Sequence, residues 1–189
     1  MKNYFLLIYK VLFETNDVFA EIKQSPSTSK AILTLVWINI FLLSIKYAFT
    51  GGVLNIFSYL FMLIFYLTST LVSWAILGLF FEYIAKIYDK SGKLKTLLYL
   101  SSFSALPWIF IAPLELLKDF GDIGYFSGTL LELIIYFWTI FLYCKSLEYT
   151  YEIKFSRSIM LIFLPFLATF FAFFWLIGFF TKLGYIFTV

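Results

Sequence analysis

Charged residues interrupt long apolar runs at intervals that match membrane crossings, each of which needs roughly 20 apolar residues. The runs lie at about 31–49, 54–83, 96–114, 123–144 and 158–181. The second is the longest, with no charge from Val53 to Phe81, so its helix is expected to tilt or to begin in the interface. Gly51-Gly52 reads as a tight turn between the first two spans, and Ser91 as a helix cap ahead of the third. Lys118 to Asp122 and Lys145 to Arg157 read as polar loops. Before the spans, residues 1–30 form a cytoplasmic or interfacial segment. Its start, Met1 to Phe13, lacks a small-residue cleavage site and is broken by Lys10, which argues against a signal peptide. An interfacial helix with Tyr4, Phe5, Ile8, Val11 and Leu12 toward lipid fits better. The expected fold is all-α, a polytopic bundle of five transmembrane helices preceded by a short amphipathic helix, and nothing in the sequence divides it into domains.

One span carries a polar seam. Tyr125, Thr129, Glu132, Tyr136, Thr139 and Tyr143 follow one another at steps of 4, 3, 4, 3 and 4. That spacing puts them on one face of a helix, with Leu, Ile and Phe opposite. The seam is expected to face protein or water and the apolar back to face lipid.

Composition agrees with the pattern. Of 189 residues, 62% are hydrophobic and 13% charged, and the mean hydropathy is +0.94; a soluble domain is roughly a quarter charged. A formal charge of +3, scattered between apolar runs, gives no footing for nucleic acid. Cys144 is the single cysteine and there is no histidine, so an internal disulfide and a Cys/His metal cluster are excluded. The commonest general base is missing as well.

Lysine and arginine set the orientation. Lys2, Lys10, Lys23 and Lys30, then Lys86, Lys90, Lys93 and Lys95, then Lys145, Lys154 and Arg157 make 11 on one side; Lys46, Lys118 and Lys182 make 3 on the other. The N-terminus is expected in the cytoplasm and the C-terminus on the opposite side.

Three stretches resemble the Yip-domain family of Ypt/Rab-interacting membrane proteins and their bacterial relatives. They are Asn16 to Lys23, Ser91 to Pro107 and Trp138 to Tyr149. The bacterial members open with an Asn-Pro-x-x-x-Phe-x-x-Ile phrase; here Asp17 stands in the place of the proline. The Asp-Leu-Tyr-Gly-Pro motif of the eukaryotic trafficking members is absent, as is their long soluble N-terminal region. The resemblance spans roughly residues 10 to 180. It implies five helices with the N-terminus inside, without carrying over Rab binding or vesicle trafficking. Phe- and Lys-rich usage fits a bacterial inner-membrane member.

Ionisable residues inside the bilayer cost roughly 2.5–3.5 kcal/mol each on insertion scales, so each needs a partner. Glu82 has Lys86 at i+4 and Glu115 has Lys118 at i+3, both read as helix-end pairs. Lys46 lies close enough to a span end to snorkel. Glu132 sits about 12 Å inside its span at 1.5 Å per residue, too deep for a short carboxylate to reach headgroups. Its expected partners are on the first span, where Asn39 and Lys46 share a face, with Lys46 reaching toward the acid. Hydroxyls of Ser69, Thr70 and Ser73 or of Ser101, Ser102 and Ser104 are the alternatives. The candidate polar site is thus Glu132, Tyr125, Thr129, Tyr136, Thr139, Asn39 and Lys46. The small-residue spacings Ser69–Ser73, Ser101–Ala105 and Ala168–Ala172 suit close helix packing, and Pro107, Pro113 and Pro165 are expected to kink or end helices.

No catalytic constellation, metal site or cofactor site emerges. The expected function is a non-enzymatic membrane adaptor or organiser working through helix–helix and lipid contacts. The alternative is a small transporter or channel using Glu132 as a proton or cation site. Anionic lipid at the cytoplasmic face is the expected partner, with other membrane proteins or a second copy of the chain next.

Overall fold

The computed structural model describes residues 2–49, 56–87, 89–90 and 92–187. The expected turn at Gly51-Gly52, the start of the second span and the cap at Ser91 lie outside the described residues. So do the side chains of Tyr4, Phe5, Pro165, Ala168, Ala172 and Lys182. The described chain is all-helical: α1 (Lys2–Phe13), α2 (Thr15–Ile22), α3 (Thr28–Phe49), α4 (Ile56–Ile87), α5 (Leu94–Ser102), a 3-10 segment (Phe103–Phe110), α6 (Ile111–Lys118), α7 (Gly121–Tyr151) and α8 (Phe155–Phe187). Among the described residues, five helical stretches are long and apolar enough to cross a membrane: Thr28–Ala48, Ile56–Lys86, Leu94–Lys118, Gly121–Tyr151 and Phe155–Leu176.

The chain falls into two compact units, residues 1–153 and 154–189. The second is α8. It runs on through Pro165 as a continuous helix, so this proline does not end it. Ring pairs at helical spacing line its exposed surface, Phe170 with Phe174 at 4.6 Å and Trp175 stacked on Phe179 at 5.6 Å.

In the first unit the third span is longer and less regular than expected. Pro107 sits inside the 3-10 segment, because its ring collides with the carbonyl four residues back and it has no N–H to give. Pro113 occupies the first turn of α6, where a missing N–H costs nothing, so the span continues through it to Lys118. Within this break Ser104 and Ser146 lie 3.3 Å apart, their hydroxyls pairing across to α7. α7 likewise runs to Tyr151, through most of the expected polar loop after residue 144.

The core of the unit departs most from expectation. Val11 of α1 and Val18, Phe19 and Ile22 of α2 are buried with Ala31 and Ile38 of α3 and with Tyr99, Leu100, Phe103 and Leu106. Val11 therefore faces protein and not lipid. Phe19, fully buried, sets its ring edge-on to Tyr149 of α7 at 6.0 Å. The N-terminal helices are a plug in the end of the bundle where α3 and α5 begin. Other ties are single hydrogen bonds: Trp74 Nε1 donates to Ser101 Oγ at 3.1 Å, and Thr70 Oγ1 donates to Asn39 Oδ1 at 3.1 Å. Of the small-residue pairs, Ser101 packs inside as expected, whereas Ser69 and Ser73 are exposed.

Candidate functional site

The seam of α7 is not the face that packs. Gly124, Gly128, Ile135, Leu142, Ser146 and Thr150 are buried, a stripe at steps of 4 and 7 that lies beside the seam. Tyr125, Thr129 and Tyr136 are exposed, and Glu132, Thr139 and Tyr143 are half-buried. The polar line read from the sequence is the edge of the interface. The small residues Gly124-x-x-x-Gly128 are its middle, a spacing that lets two helices approach to backbone distance. A Cβ added at Gly124 would overlap the Leu117 carbonyl oxygen. One added at Gly128 would come within 2.7 Å of Lys118 Cγ and 3.2 Å of the Leu114 carbonyl oxygen.

This approach supplies the partner of Glu132. Lys118 lays its stem over Gly128, and its Nζ donates to Glu132 Oε2 at 2.6 Å, one helical turn deeper. Both side chains are largely sheltered, 22% and 16% exposed. A lysine at a span end ordinarily reaches outward to the headgroups; this one reaches inward because a carboxylate waits there. The expected Lys46–Glu132 contact is therefore replaced. Lys46 pairs with Glu115 of α6, its Nζ 3.4 Å from both carboxylate oxygens. The expected local pair of Glu115 with Lys118 gives way to these two longer-range ones. Four charges alternate across α3, α6 and α7.

Two openings flank the ladder. A cavity of about 240 Å³ is lined from five helical elements by Asn39, Lys46, Thr70, Trp108, Glu115 and Tyr136 among others. A second, more open groove of about 260 Å³ runs along α7 between Phe126, Thr129, Leu130, Glu132, Leu133 and Tyr136. The structure thus brings Asn39, Lys46 and Tyr136 to one opening, and Glu132, Thr129 and Tyr136 to the other, with Tyr136 on the wall of both. Tyr125 and Thr139 line neither. Asn39 is already engaged, donating to the Leu35 carbonyl at 2.8 Å and accepting from Thr70. Thr129 and Thr139 each donate to the carbonyl four residues back. Among the described residues no group of three or more acidic or cysteine side chains is placed to hold a metal ion.

The opposite end of the bundle carries a second cluster. Glu82 accepts from the Tyr151 hydroxyl at 2.7 Å and from the Gly92 amide, in place of the expected pairing with Lys86. Glu152 ends α7 in the left-handed conformation at φ 55°. It meets Lys23 at 2.9 Å and Lys93 at 3.6 Å. The hydrogen bond from Lys23, then the charge of Lys93, hold its carboxyl below the ordinary glutamate range. Cys144 is buried. Local i+3 and i+4 rules missed these partners because each is brought from another element by packing. The glycine pair was the available signal for α6–α7.

No curated protein and no solved structure matches the chain. A family model does, and the residues it takes in, 9–177, run from the core-forming part of α1 through all five spans. By that match the chain is a multi-pass membrane protein belonging to the Yip1 domain family.

Proposed function

We propose that this Yip1 domain protein is a non-enzymatic adaptor of a bacterial inner membrane, with its N-terminal end in the cytoplasm. One observation carries the reading. Glu132, the deepest acid, is closed on one side by Lys118 and borders an open apolar groove on the other. A transport site needs a carboxylate that water and a solute reach and that changes partner during the cycle. A groove of Phe126, Leu130 and Leu133 edged by Thr129 and Tyr136 suits a neighbouring helix in the bilayer. The orientation rests on the lysine and arginine count. Lys30, Lys86, Lys90 and Lys95 are exposed at the N-terminal end, where anionic lipid attracts each nearby cation by roughly 1 kcal/mol.

Flux of a broad solute panel through proteoliposomes tests the choice between functions. The adaptor reading expects none. Flux that Glu132→Gln abolishes would establish transport instead. Photo-crosslinking from Phe126 or Leu133 in native membranes should give discrete protein adducts; lipid adducts alone would count against the groove as an adaptor surface.

A further inference from the structure

The two ion pairs of the charge ladder are unequal, and the difference points to a ligand. Lys118–Glu132 is short and sheltered. Lys46–Glu115 is long, with Nζ 3.4 Å from both oxygens, and its side chains are 53% and 41% exposed. A lysine ammonium has three donors and a carboxylate about four acceptor positions, so one long contact leaves most of that capacity unused. The loose pair forms part of the wall of the 240 Å³ cavity, whose apolar lining is Leu42, Leu43, Ile111, Ala112 and Trp108 and whose polar lining includes Asn39 and Thr70. Its height is set by the helices. Lys46 is within a turn of the end of its span, and Glu115 is three residues before the end of its own. At 1.5 Å per residue that is about 5 Å from the helix end, within side-chain reach of lipid headgroups.

We propose that this cavity binds the headgroup of a membrane lipid that pairs a primary ammonium with a phosphate, the ammonium on Glu115 and the phosphate on Lys46. The site is electrically neutral as a pair, so a zwitterion satisfies both partners where a purely anionic headgroup meets the repulsion of Glu115. A primary ammonium donates hydrogen bonds to the carboxylate; a quaternary one has none to give. The volume falls below the roughly 300–1,000 Å³ of pockets that enclose drug-sized molecules, and suits a headgroup whose chains stay in the bilayer. The acyl chains would leave past Leu42 and Ile111.

Native mass spectrometry of the delipidated full-length protein against phosphatidylethanolamine, phosphatidylcholine and phosphatidylglycerol tests this. Phosphatidylethanolamine should bind roughly tenfold tighter than either of the others, the scale of a charge-assisted hydrogen bond. Glu115→Gln should erase the preference over phosphatidylcholine. Lys46→Met should weaken both zwitterionic lipids. Ala112→Leu, which fills the cavity and leaves the charges in place, should also lower binding, and circular dichroism identifies variants that keep the fold. Equal binding of the three lipids, or a preference untouched by both Glu115→Gln and Ala112→Leu, overturns the proposal. Soluble phosphoethanolamine displacing the lipid at comparable concentration would overturn the lipid as the source and assign the site to a free zwitterion.

Discussion

Lys118 reaches over Gly128 to put its ammonium 2.6 Å from Glu132. The lysine bends inward from a span end, and the path is open because position 128 has no side chain. Removing either charge strands the other in a sheltered site, which is worse than removing both. Lys118→Met and Glu132→Gln should each lower the midpoint of unfolding in detergent. The double variant Lys118→Met/Glu132→Gln should lose less than the sum of the single changes. Additive losses would mean that the pair does not act as a unit.

The same geometry makes a prediction about Gly128. Alanine there pushes on Lys118 Cγ, a flexible neighbour, and on the Leu114 carbonyl, a rigid one. The cost should be about 1–3 kcal/mol, the range for overpacking. Because the displaced group is the lysine stem, Gly128→Ala should weaken the ion pair too, and its effect should shrink in the Glu132→Gln background. Gly124→Ala meets backbone at Leu117 and should cost at least as much, with no such dependence on Glu132. A urea or SDS titration of Glu132→Gln and of each glycine variant, alone and in that background, checks both statements.

These residues mark where the sequence was legible and where it was not. Spans could be located because lipid excludes charge over a fixed length, a one-dimensional constraint that leaves a mark in the chain. Partners could not: Glu82 and Glu115 each had a plausible answer within reach of local rules, and Glu132, which had none, was matched to Lys46, which pairs with Glu115 instead. Packing then offered a better one from another element. Gly124-x-x-x-Gly128 lay inside the expected fourth span, yet the polar seam beside it reads as the packing face. The seam was a true regularity with a different meaning. Its two threonines bond to their own helix, its glutamate to α6, and the packing face runs beside it. Met1 to Phe13 carried the apolar stripe of an interfacial helix, yet Val11 is core, because such a stripe reads alike against lipid and against protein.

Docking of α2 on α7 should depend on Phe19. Its ring is fully buried against Tyr149 and the α3–α5 core, and Phe→Ala changes in such sites cost about 3–5 kcal/mol. Phe19→Ala should release the N-terminal helices before the bundle itself unfolds. Trypsin should then cut at Lys23 and Lys30 under conditions where the parent protein is resistant. Cleavage at unchanged rate would mean that the plug is held elsewhere.

The second anchor of α2 should be sensitive to acid. Lys23 and Lys93 hold the Glu152 carboxyl below its ordinary range. A carboxylate whose pKa is depressed by folding contributes stability that is complete above its unfolded pKa. That stability is lost as pH falls through the lower, folded value. Tryptic protection of Lys30 should accordingly be flat from pH 8 down to the ordinary glutamate range and, read by a protease active in acid, weaken below it. Glu152→Gln cannot ionise, so its protection should begin lower and show a smaller acid step. Lys93→Met should shift the step toward higher pH while leaving the Lys23 contact in place. An acid profile identical in Glu152→Gln and the parent would place the titrating group outside this clamp.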